Sequence, residues 1–459
     1  MVGIVLLALF VWIPRPSAAQ PEIEELLREV EALMGRGSAD VDPLALVRQE
    51  LPAVEGAAAM PRRGPIEAEV ITRAEAVAHV QGLIDEQLPP ERARAMEIGW
   101  KALGLLRPEQ ELRAEVLRLY GAQVGGFFDP QTRTLYLLDD VHPLMQQPVI
   151  RHELTHALQD QHWTLATWLE GAHEDEDRAA AMQAVLEGHA SHVMNRVTLG
   201  GLGVTPESLA SGADQGMMAE LAELLGLDQA NVSAADLAQG LDLGLDDDLA
   251  TMLLPRDTPP ALRAQLLFPY VVGTRFVSGY LEAHPEDPMG AFLFARPPKS
   301  SAEVLAPHLW ESGTFLPGLT KPGTFLPGWK QLWDSALGRL LTHVVLTDQG
   351  DPFAGSPEGA RWVRPSRDRN VALTAEWHGD RVVVYEPNKS KPGTAVPGQP
   401  VVLWVSDWGS ERAALAVAEA AKSRLPKAKI ERQGGRVVVL SGAPAHLRRA
   451  AVSAAFLWN

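Results

Sequence analysis

Residues 149–160 read VIRHELTHALQD, a stretch that combines an apolar helix pattern with a cluster of ionisable side chains. On a helix, residues four positions apart project from the same face, so His152 and His156 can direct two imidazole nitrogens to one point. Glu153 lies next to that face, where its carboxylate can act as a general base on water. The segment therefore predicts a helix that carries two metal ligands and a base. The alternative is an amphipathic helix whose polar face is simply solvated.

We expect this helix to cover residues 148–163, because Pro148 suits a first helical turn. A second helix is predicted over 174–197, and it carries Glu187. A catalytic zinc site takes three protein ligands and keeps one position open, so the two histidines need one more partner. Glu187 is the favoured third ligand, since the small residues around it would let the two helices approach closely. His189 is the rival ligand, and one Zn²⁺ per chain is the expected cofactor.

Composition narrows the class of protein. The chain has 459 residues, 46% of them hydrophobic, a formal net charge of −17 and no cysteine. A chain of this size and apolar content can bury a sizeable core. Without cysteine it has no disulfide, thiolate metal site or cysteine nucleophile. An acidic chain lacks the basic surface that nucleic acid requires, so we expect no nucleic acid and a partner that is neutral or basic. The oligomeric state stays open.

The first residues predict an export signal. Residues 2–13 are apolar, Pro14 follows, and small residues at 17–19 suit cleavage after Ala19. The apolar run is too short to span a bilayer, which needs about 20 residues, so we expect no stable membrane insertion after cleavage. The expected location is the periplasm or the medium. The alternative is a chain anchored by an uncleaved N-terminal segment.

Patterns along the rest of the chain predict an α+β fold. Residues 21–119 are mainly helical in pattern, apart from an Ala-, Gly- and Pro-rich linker at 52–65. Asp-Pro-Gln-Thr at 129–132 separates two β-prone runs and predicts a hairpin. Helical patterns return at 261–281 and 301–305. The last hundred residues alternate four strand patterns with two helix patterns, which predicts a small α+β layer.

An HExxH pattern followed by glutamate on the next helix resembles the gluzincin arrangement of zinc peptidases. More closely, the chain resembles a family of exported bacterial gluzincin-like metallopeptidases from about residue 65 to its end. The motifs that carry this resemblance are GFFDP at 126–130, HELTHALQDQH at 152–162, LEGHAS at 186–191, FPY at 268–270 with Gly273, PPKSSAE at 297–303, WHGDR at 377–381 and SDW at 406–408. The chain departs from the family at Ser191, where threonine is common, in a doubled GTFLPG segment, and in an acidic stretch at 200–260.

The resemblance implies an enzyme that hydrolyses peptide bonds of a peptide or protein substrate, with zinc on the three ligands and Glu153 as general base. In such enzymes an edge strand beside the site helix binds the peptide by strand addition, and we expect the second hairpin strand to do so. Five residues form that strand: Thr134, Leu135, Tyr136, Leu137 and Leu138. We expect Tyr270 or Arg275 to donate to the oxyanion. Asp160, one turn beyond His156, is a candidate for orienting that imidazole.

The predicted organisation has four parts. They are a signal peptide at 1–19, an N-terminal helical segment with its linker at 20–64, a zincin-like catalytic domain at 65–345, and an α+β domain at 346–459. We expect the catalytic domain to be mostly helical, with a short β-hairpin before the HExxH helix. Two other functions stay open beside the peptidase: a non-catalytic exported scaffold or binding protein, and a zinc amidase that acts on peptidoglycan. The intact Glu153 favours an enzyme, because a scaffold needs no general base.

Overall fold

Helices dominate the computed structural model, and its strands form one three-stranded and one five-stranded sheet, so the predicted α+β class is confirmed. The structure describes residues 42–141, 143–173, 175–201, 257–313, 318–319, 328–347, 373–388 and 399–458. Within these ranges, no helix is both long and apolar enough to cross a membrane. The predicted signal peptide, residues 202–256 of the acidic stretch at 200–260, and most of the doubled GTFLPG segment lie outside the described residues.

A small sheet precedes the HExxH helix. The elements of residues 42–141 are α1 (Pro43–Ala58), β1 (Glu67–Ile71), α2 (Arg73–Gln87), α3 (Pro90–Ala102), α4 (Leu112–Gln123), β2 (Gly126–Asp129) and β3 (Thr134–Leu138). The predicted hairpin is confirmed, since β2 and β3 pair antiparallel. β1 joins the other side of β3 in parallel, which gives the order β1-β3-β2. The prediction that residues 134–138 form an edge strand is therefore wrong, because neighbours occupy both of its hydrogen-bonding sides.

Two long helices carry the predicted ligands. α5 (Pro143–Trp163) begins earlier than predicted, because Pro143 and not Pro148 occupies the first turn. A short helix α6 (Leu165–Trp168) and a 3-10 turn (Leu169–His173) follow. α7 (Glu176–Gly201) then packs against α5. Its bounds confirm the helix predicted over 174–197.

The first half of the predicted linker is helical. α1 continues through Pro52 as far as Ala58 and packs against α5 and α7. The buried side chains of the contact with α5 include Leu46, Val47, Leu51, Val54, Val149, Ile150 and Leu154. Burial of this apolar stripe outweighs the low helix propensity of proline and glycine. In addition, Arg151 Nε donates to the buried Glu50 Oε2 at 2.7 Å.

A π-helical turn interrupts the helix predicted over 261–281. α8 (Pro260–Phe268) leads into this turn (Pro269–Gly273), and α9 (Thr274–Ala283) continues from it. Single π-helical turns inside α-helices are frequent at functional sites. This turn lies directly against α7. Three short helices come next: α10 (Ala291–Ala295), α11 (Ser301–Leu305) and α12 (Pro307–Glu311).

The second sheet is antiparallel, with the order β4-β5-β6-β8-β7. Its strands and associated helices are β4 (Trp329–Ser335), α13 (Gly338–Leu346), β5 (Trp377–Pro387), β6 (Val401–Trp408), α14 (Glu411–Arg424), β7 (Lys429–Gln433), β8 (Arg436–Ser441) and α15 (Ala445–Ala455). The four predicted strands and two predicted helices of the last hundred residues are confirmed. β4, which no sequence pattern indicated, begins the sheet before the boundary predicted at residue 346. One hydrophobic cluster includes Trp100, Leu341 and Trp404, so this boundary does not separate two cores.

Asp380 on β5 is a buried carboxyl that joins the second sheet to the helices. It accepts hydrogen bonds from the backbone N–H groups of Leu337 and Gly338 at 3.1 and 2.9 Å. Trp404 Nε1 donates to it at 2.9 Å. Burial, reinforced by the nearby Asp177, raises the pKa of Asp380 to about 7 against the effect of these hydrogen bonds.

The Asp380 carboxyl should make stability depend on pH. The folded state holds this proton more tightly than the unfolded chain does. The contribution to the free energy of unfolding is therefore complete below about pH 4 and is lost as the pH rises to about 7. Asp380→Asn cannot ionise, so its deficit relative to wild type should shrink between about pH 4.5 and 7.5 in urea unfolding. Parallel pH profiles for the two proteins would contradict this prediction.

Candidate metal centre

α5 and α7 bring His152, His156 and Glu187 to one point. His152 Nε2 lies 3.1 Å from His156 Nε2 and 3.1 Å from Glu187 Oε2. His156 Nε2 is 3.4 Å from Glu187 Oε2. Both imidazoles are fully buried, and Glu187 is 3% exposed. The three predicted ligands thus form a buried cluster that could hold a metal ion.

The separation of the three donor atoms fits a tetrahedral ion. Ligands at about 2.0–2.1 Å from a tetrahedral metal lie about 3.4 Å from one another, close to the observed distances. Burial lowers the pKa of His152, which favours the neutral imidazole that ligates metals. Burial opposes the ionisation of Glu187, but its contacts with His156 and His152 outweigh that effect and lower its pKa. His152 and Glu187 therefore have the protonation states that a bound cation requires.

Gln159, which no sequence pattern singled out, orients His156. Its Nε2 donates to the carbonyl oxygen of Leu186 at 3.1 Å, and this contact fixes the orientation of the amide. The amide Oε1 then faces His156 Nδ1 at 2.7 Å. His156 Nδ1 must therefore carry the hydrogen, and Nε2 presents its lone pair to the cluster.

Asp160 does not orient His156, so that prediction is wrong. Its Oδ1 accepts the backbone N–H of Leu165 at 2.9 Å, and its Oδ2 lies 3.1 Å from Arg133 Nε. Residues three and four positions after His156 both neighbour it on the helix surface. The side chain at the third position, Gln159, is the one that meets the imidazole.

The rival ligand His189 lies beside the cluster, in contact with Gln159. Its Nδ1 accepts from Gln159 Nε2 at 3.1 Å, and its ring packs edge-on against Trp163 and Phe294. Burial lowers the pKa of His189 to about 3, so the ring is neutral. His189 therefore supports Gln159, while Glu187 faces the two histidines.

Glu153 is fully buried beside the three candidate ligands. Its Oε2 accepts the backbone N–H of Phe128 on β2 at 3.0 Å. Its Oε1 has no hydrogen-bond partner among the described residues. Burial and the neighbouring Glu187 carboxylate raise the pKa of Glu153 well above its ordinary value, and the Phe128 N–H only partly offsets this. The ionised carboxylate therefore takes up a proton more readily than that of an ordinary glutamate does.

The π-helical turn places Tyr270, one of the two predicted oxyanion donors, at the cluster. Its ring centre is 6.0 Å from that of His152. Burial and the charges of Glu187 and Glu153 raise the pKa of its hydroxyl, which also hydrogen-bonds to Glu187. Tyr270 is therefore a protonated donor held beside the candidate ligands.

Two further side chains bear on the candidate site, Tyr120 and Arg275. Tyr120 on α4, which no sequence pattern indicated, lies near Glu187. Burial and the charge of Glu187 raise the pKa of the Tyr120 hydroxyl. Arg275 lies half-buried on α9. Its role as an oxyanion donor stays a prediction.

Two glycines let the π-helical turn lie directly on α7. A Cβ atom on Gly188 would be 2.3 Å from the carbonyl carbon of Gly273. A Cβ atom on Gly273 would be 2.4 Å from the carbonyl oxygen of Ala184. Gly188 follows Glu187, and Gly273 ends the turn that carries Tyr270. This backbone contact therefore fixes the spacing between the carboxylate and the phenol.

β2, and not β3, presents a strand edge to the cluster. The N–H of Phe128 points to Glu153 and therefore away from β3. In an antiparallel pair, alternate residues direct their backbone groups to the same side, so Gly126 shares this orientation. The outer edge of β2 thus passes the base, where β3 was expected to lie.

Comparison with known proteins identifies no relative, since no family model, curated protein or solved structure matches this chain. The resemblance to gluzincin-like peptidases therefore stays an expectation from the sequence motifs. The described residues nevertheless bring together three convergent ligand atoms, an adjacent carboxyl with a raised pKa, and a phenol within the same buried cluster.

Gly188→Ala should disturb this geometry. The new Cβ would meet backbone atoms of the π-helical turn, and overpacking of this kind costs about 1–3 kcal/mol. We expect a melting temperature lowered by several degrees in thermal unfolding monitored by circular dichroism. Gly279→Ala on α9 is the control, because a Cβ there would meet no neighbouring atom within 4 Å and alanine is the better helix former. Equal melting temperatures of the two variants would contradict a close backbone contact at Gly188.

Proposed function

We propose that this protein is an exported zinc-dependent metallopeptidase of the gluzincin type, in which Glu153 is the general base. The observation that carries the proposal is the convergence of His152, His156 and Glu187 within 3.4 Å, directly beside Glu153. The motifs shared with exported gluzincin-like peptidases support the class of enzyme. The apolar segment at residues 2–13 supports the location.

The donor set favours zinc among the common metals. Two imidazole nitrogens and one carboxylate oxygen, with a fourth position left open, are typical of catalytic zinc sites. Magnesium and calcium prefer oxygen ligands and higher coordination numbers. When bound, zinc supplies Lewis-acid activation of water and of the scissile carbonyl group.

Glu153 has the position and the proton affinity of a general base. The Phe128 N–H holds Oε2 at 3.0 Å, which leaves Oε1 to accept a proton from water. Because its pKa is raised, the carboxyl keeps that proton within the buried site. The same group can then deliver the proton to the leaving amine, as a base that becomes an acid in the second half of the reaction.

Tyr270 would stabilise the negative charge that develops on the carbonyl oxygen. A hydroxyl whose pKa is raised by burial and by two carboxylates stays protonated and can donate. Such a donor is most effective when it is already in place before the reaction, because no reorganisation is then needed. The backbone contact of Gly188 with Gly273 provides this placement.

The outer edge of β2 is the surface that we assign to the substrate backbone. Strand addition requires unpaired backbone groups on an edge. The Phe128 N–H is already engaged by Glu153, so the groups that this edge offers to a peptide are those of Gly126 and the carbonyl group of Phe128. A peptide paired with this edge would have its carbonyl groups close to Glu153. A non-catalytic scaffold offers no reason to bury Glu153 with Oε1 lacking a partner among the described residues, since such burial is costly.

Glu153→Gln should keep the metal and lose the activity. We expect about one zinc per chain in the wild type and in this variant by elemental mass spectrometry. Cleavage of a fluorogenic peptide mixture should fall at least about 100-fold, because general-base catalysis contributes that much. Glu170→Gln, at an exposed glutamate, is the matched control and should cleave like the wild type.

Substitution of a ligand, unlike substitution of Glu153, should remove the metal. His156→Ala and Glu187→Ala each remove one of three ligands, so the zinc content should fall together with the activity. Unchanged cleavage by Glu153→Gln would exclude the proposed mechanism. A wild-type protein that stays free of zinc after incubation with the metal at neutral pH would exclude the zinc site.

A further inference from the structure

A pocket of about 300 Å³ opens beside the candidate metal centre. Ala157 and Gln161 line it, and they lie four and eight positions after Glu153 on α5, so all three share one helix face. Phe128 also lines the pocket, and its N–H is the group that holds Glu153. The pocket is therefore next to the base, where side chains close to the scissile bond would lie.

Three charged side chains line this pocket: Arg63, Arg133 and Asp160. Asp160 is 2% exposed and already engaged by the Leu165 N–H and by Arg133. Arg63 donates through Nη1 to the carbonyl oxygen of Gln161 at 3.3 Å. The remaining guanidinium N–H groups of both arginines have no protein partner among the described residues. The lining thus carries one net positive charge together with unused hydrogen-bond donors.

Arg133 is held at the pocket by a backbone conformation that arginine rarely adopts. Its φ is 56° at the end of the turn between β2 and β3. This left-handed region costs a residue with a side chain about 1–2 kcal/mol. The side chain of Arg133 is 63% exposed, so hydrophobic burial does not compensate for the strain. Strained residues of this kind cluster at functional sites.

We propose that this pocket is a subsite that binds a carboxylate group of the substrate through Arg63 and Arg133, an inference that rests on the proposed peptidase function. Guanidinium groups bind carboxylates through paired, charge-assisted hydrogen bonds. The formal net charge of the chain is −17, which disfavours an acidic substrate, so binding of a carboxylate needs a local positive site such as this pocket. The carboxylate belongs to an aspartate or glutamate side chain, or to the C-terminus of the peptide.

A basic side chain fits the pocket less well. Asp160 would be its counter-ion, but Arg133 lies 3.1 Å from Asp160 and neutralises it. A lysine would have to displace Arg133 and would then face Arg63 as a like charge. The charge balance therefore favours the anionic ligand.

Paired peptides test the subsite by hydrolysis. One series carries glutamate or glutamine at each position near the scissile bond, and a second carries a free or an amidated C-terminus. We expect kcat/KM to be about 10–100-fold higher for the carboxylate member of one pair, the value of a hydrogen bond to a charged group. Dependence on glutamate assigns the side chain as the source, and dependence on the free terminus assigns the α-carboxylate.

Arg63→Gln combined with Arg133→Asn should abolish or invert this preference. Asparagine tolerates a positive φ, so the turn is kept, and Asp160 becomes the one charged side chain that lines the pocket. Arg62→Gln is the matched control, because Arg62 is exposed, neighbours Arg63 and does not line the pocket. Its preference should equal that of the wild type.

Binding separates failure of the subsite from failure of the proposed function. Zinc-loaded Glu153→Gln is titrated calorimetrically with acetylated, amidated peptides that contain glutamate or glutamine, and with their free-acid forms. Cleavage or binding without a carboxylate preference, or with a preference for lysine, would overturn the subsite alone. Carboxylate binding that requires both arginines, in a protein whose wild type cleaves no peptide, would support the subsite and overturn the peptidase.

Discussion

The contact between the backbone of α7 and the π-helical turn is the constraint on which the candidate metal centre depends. Neither Gly188 nor Gly273 has room for a side-chain atom, so the two segments meet at backbone distance. This approach places the Glu187 carboxylate and the Tyr270 phenol in the same buried cluster as the histidines of α5. A wider separation would leave buried polar groups without partners, which is costly in a protein interior.

The parts of the site that depend on one helix or one turn could be predicted from the sequence. His152, Glu153 and His156 follow from a four-residue spacing, which is a local property of any helix. Glu187 was identified because small residues on its helix allow a close approach. The hairpin before the site followed from turn chemistry at residues 129–132. These features need no knowledge of distant partners.

The parts that depend on distant partners could not be predicted. β1 pairs in parallel with β3 across a long stretch of chain, and this pairing makes β3 central and leaves β2 as the edge at the base. The choice of Gln159 over Asp160 depends on the direction of one imidazole nitrogen, for which the sequence carries no signal. Composition at 52–65 indicated a linker, but burial against α5 made its first half helical.

The two sets of contacts made by α5 differ in the length of chain that each must close. His152 meets Glu187 across 35 positions, whereas Arg151 meets Glu50 across 101 positions. Closing the longer loop costs about 1 kcal/mol more in chain entropy. The helix pair that bears the ligands can therefore assemble before α1 covers the other side of α5. The candidate ligand cluster thus depends on a shorter closed loop than the contact that joins α1 to α5.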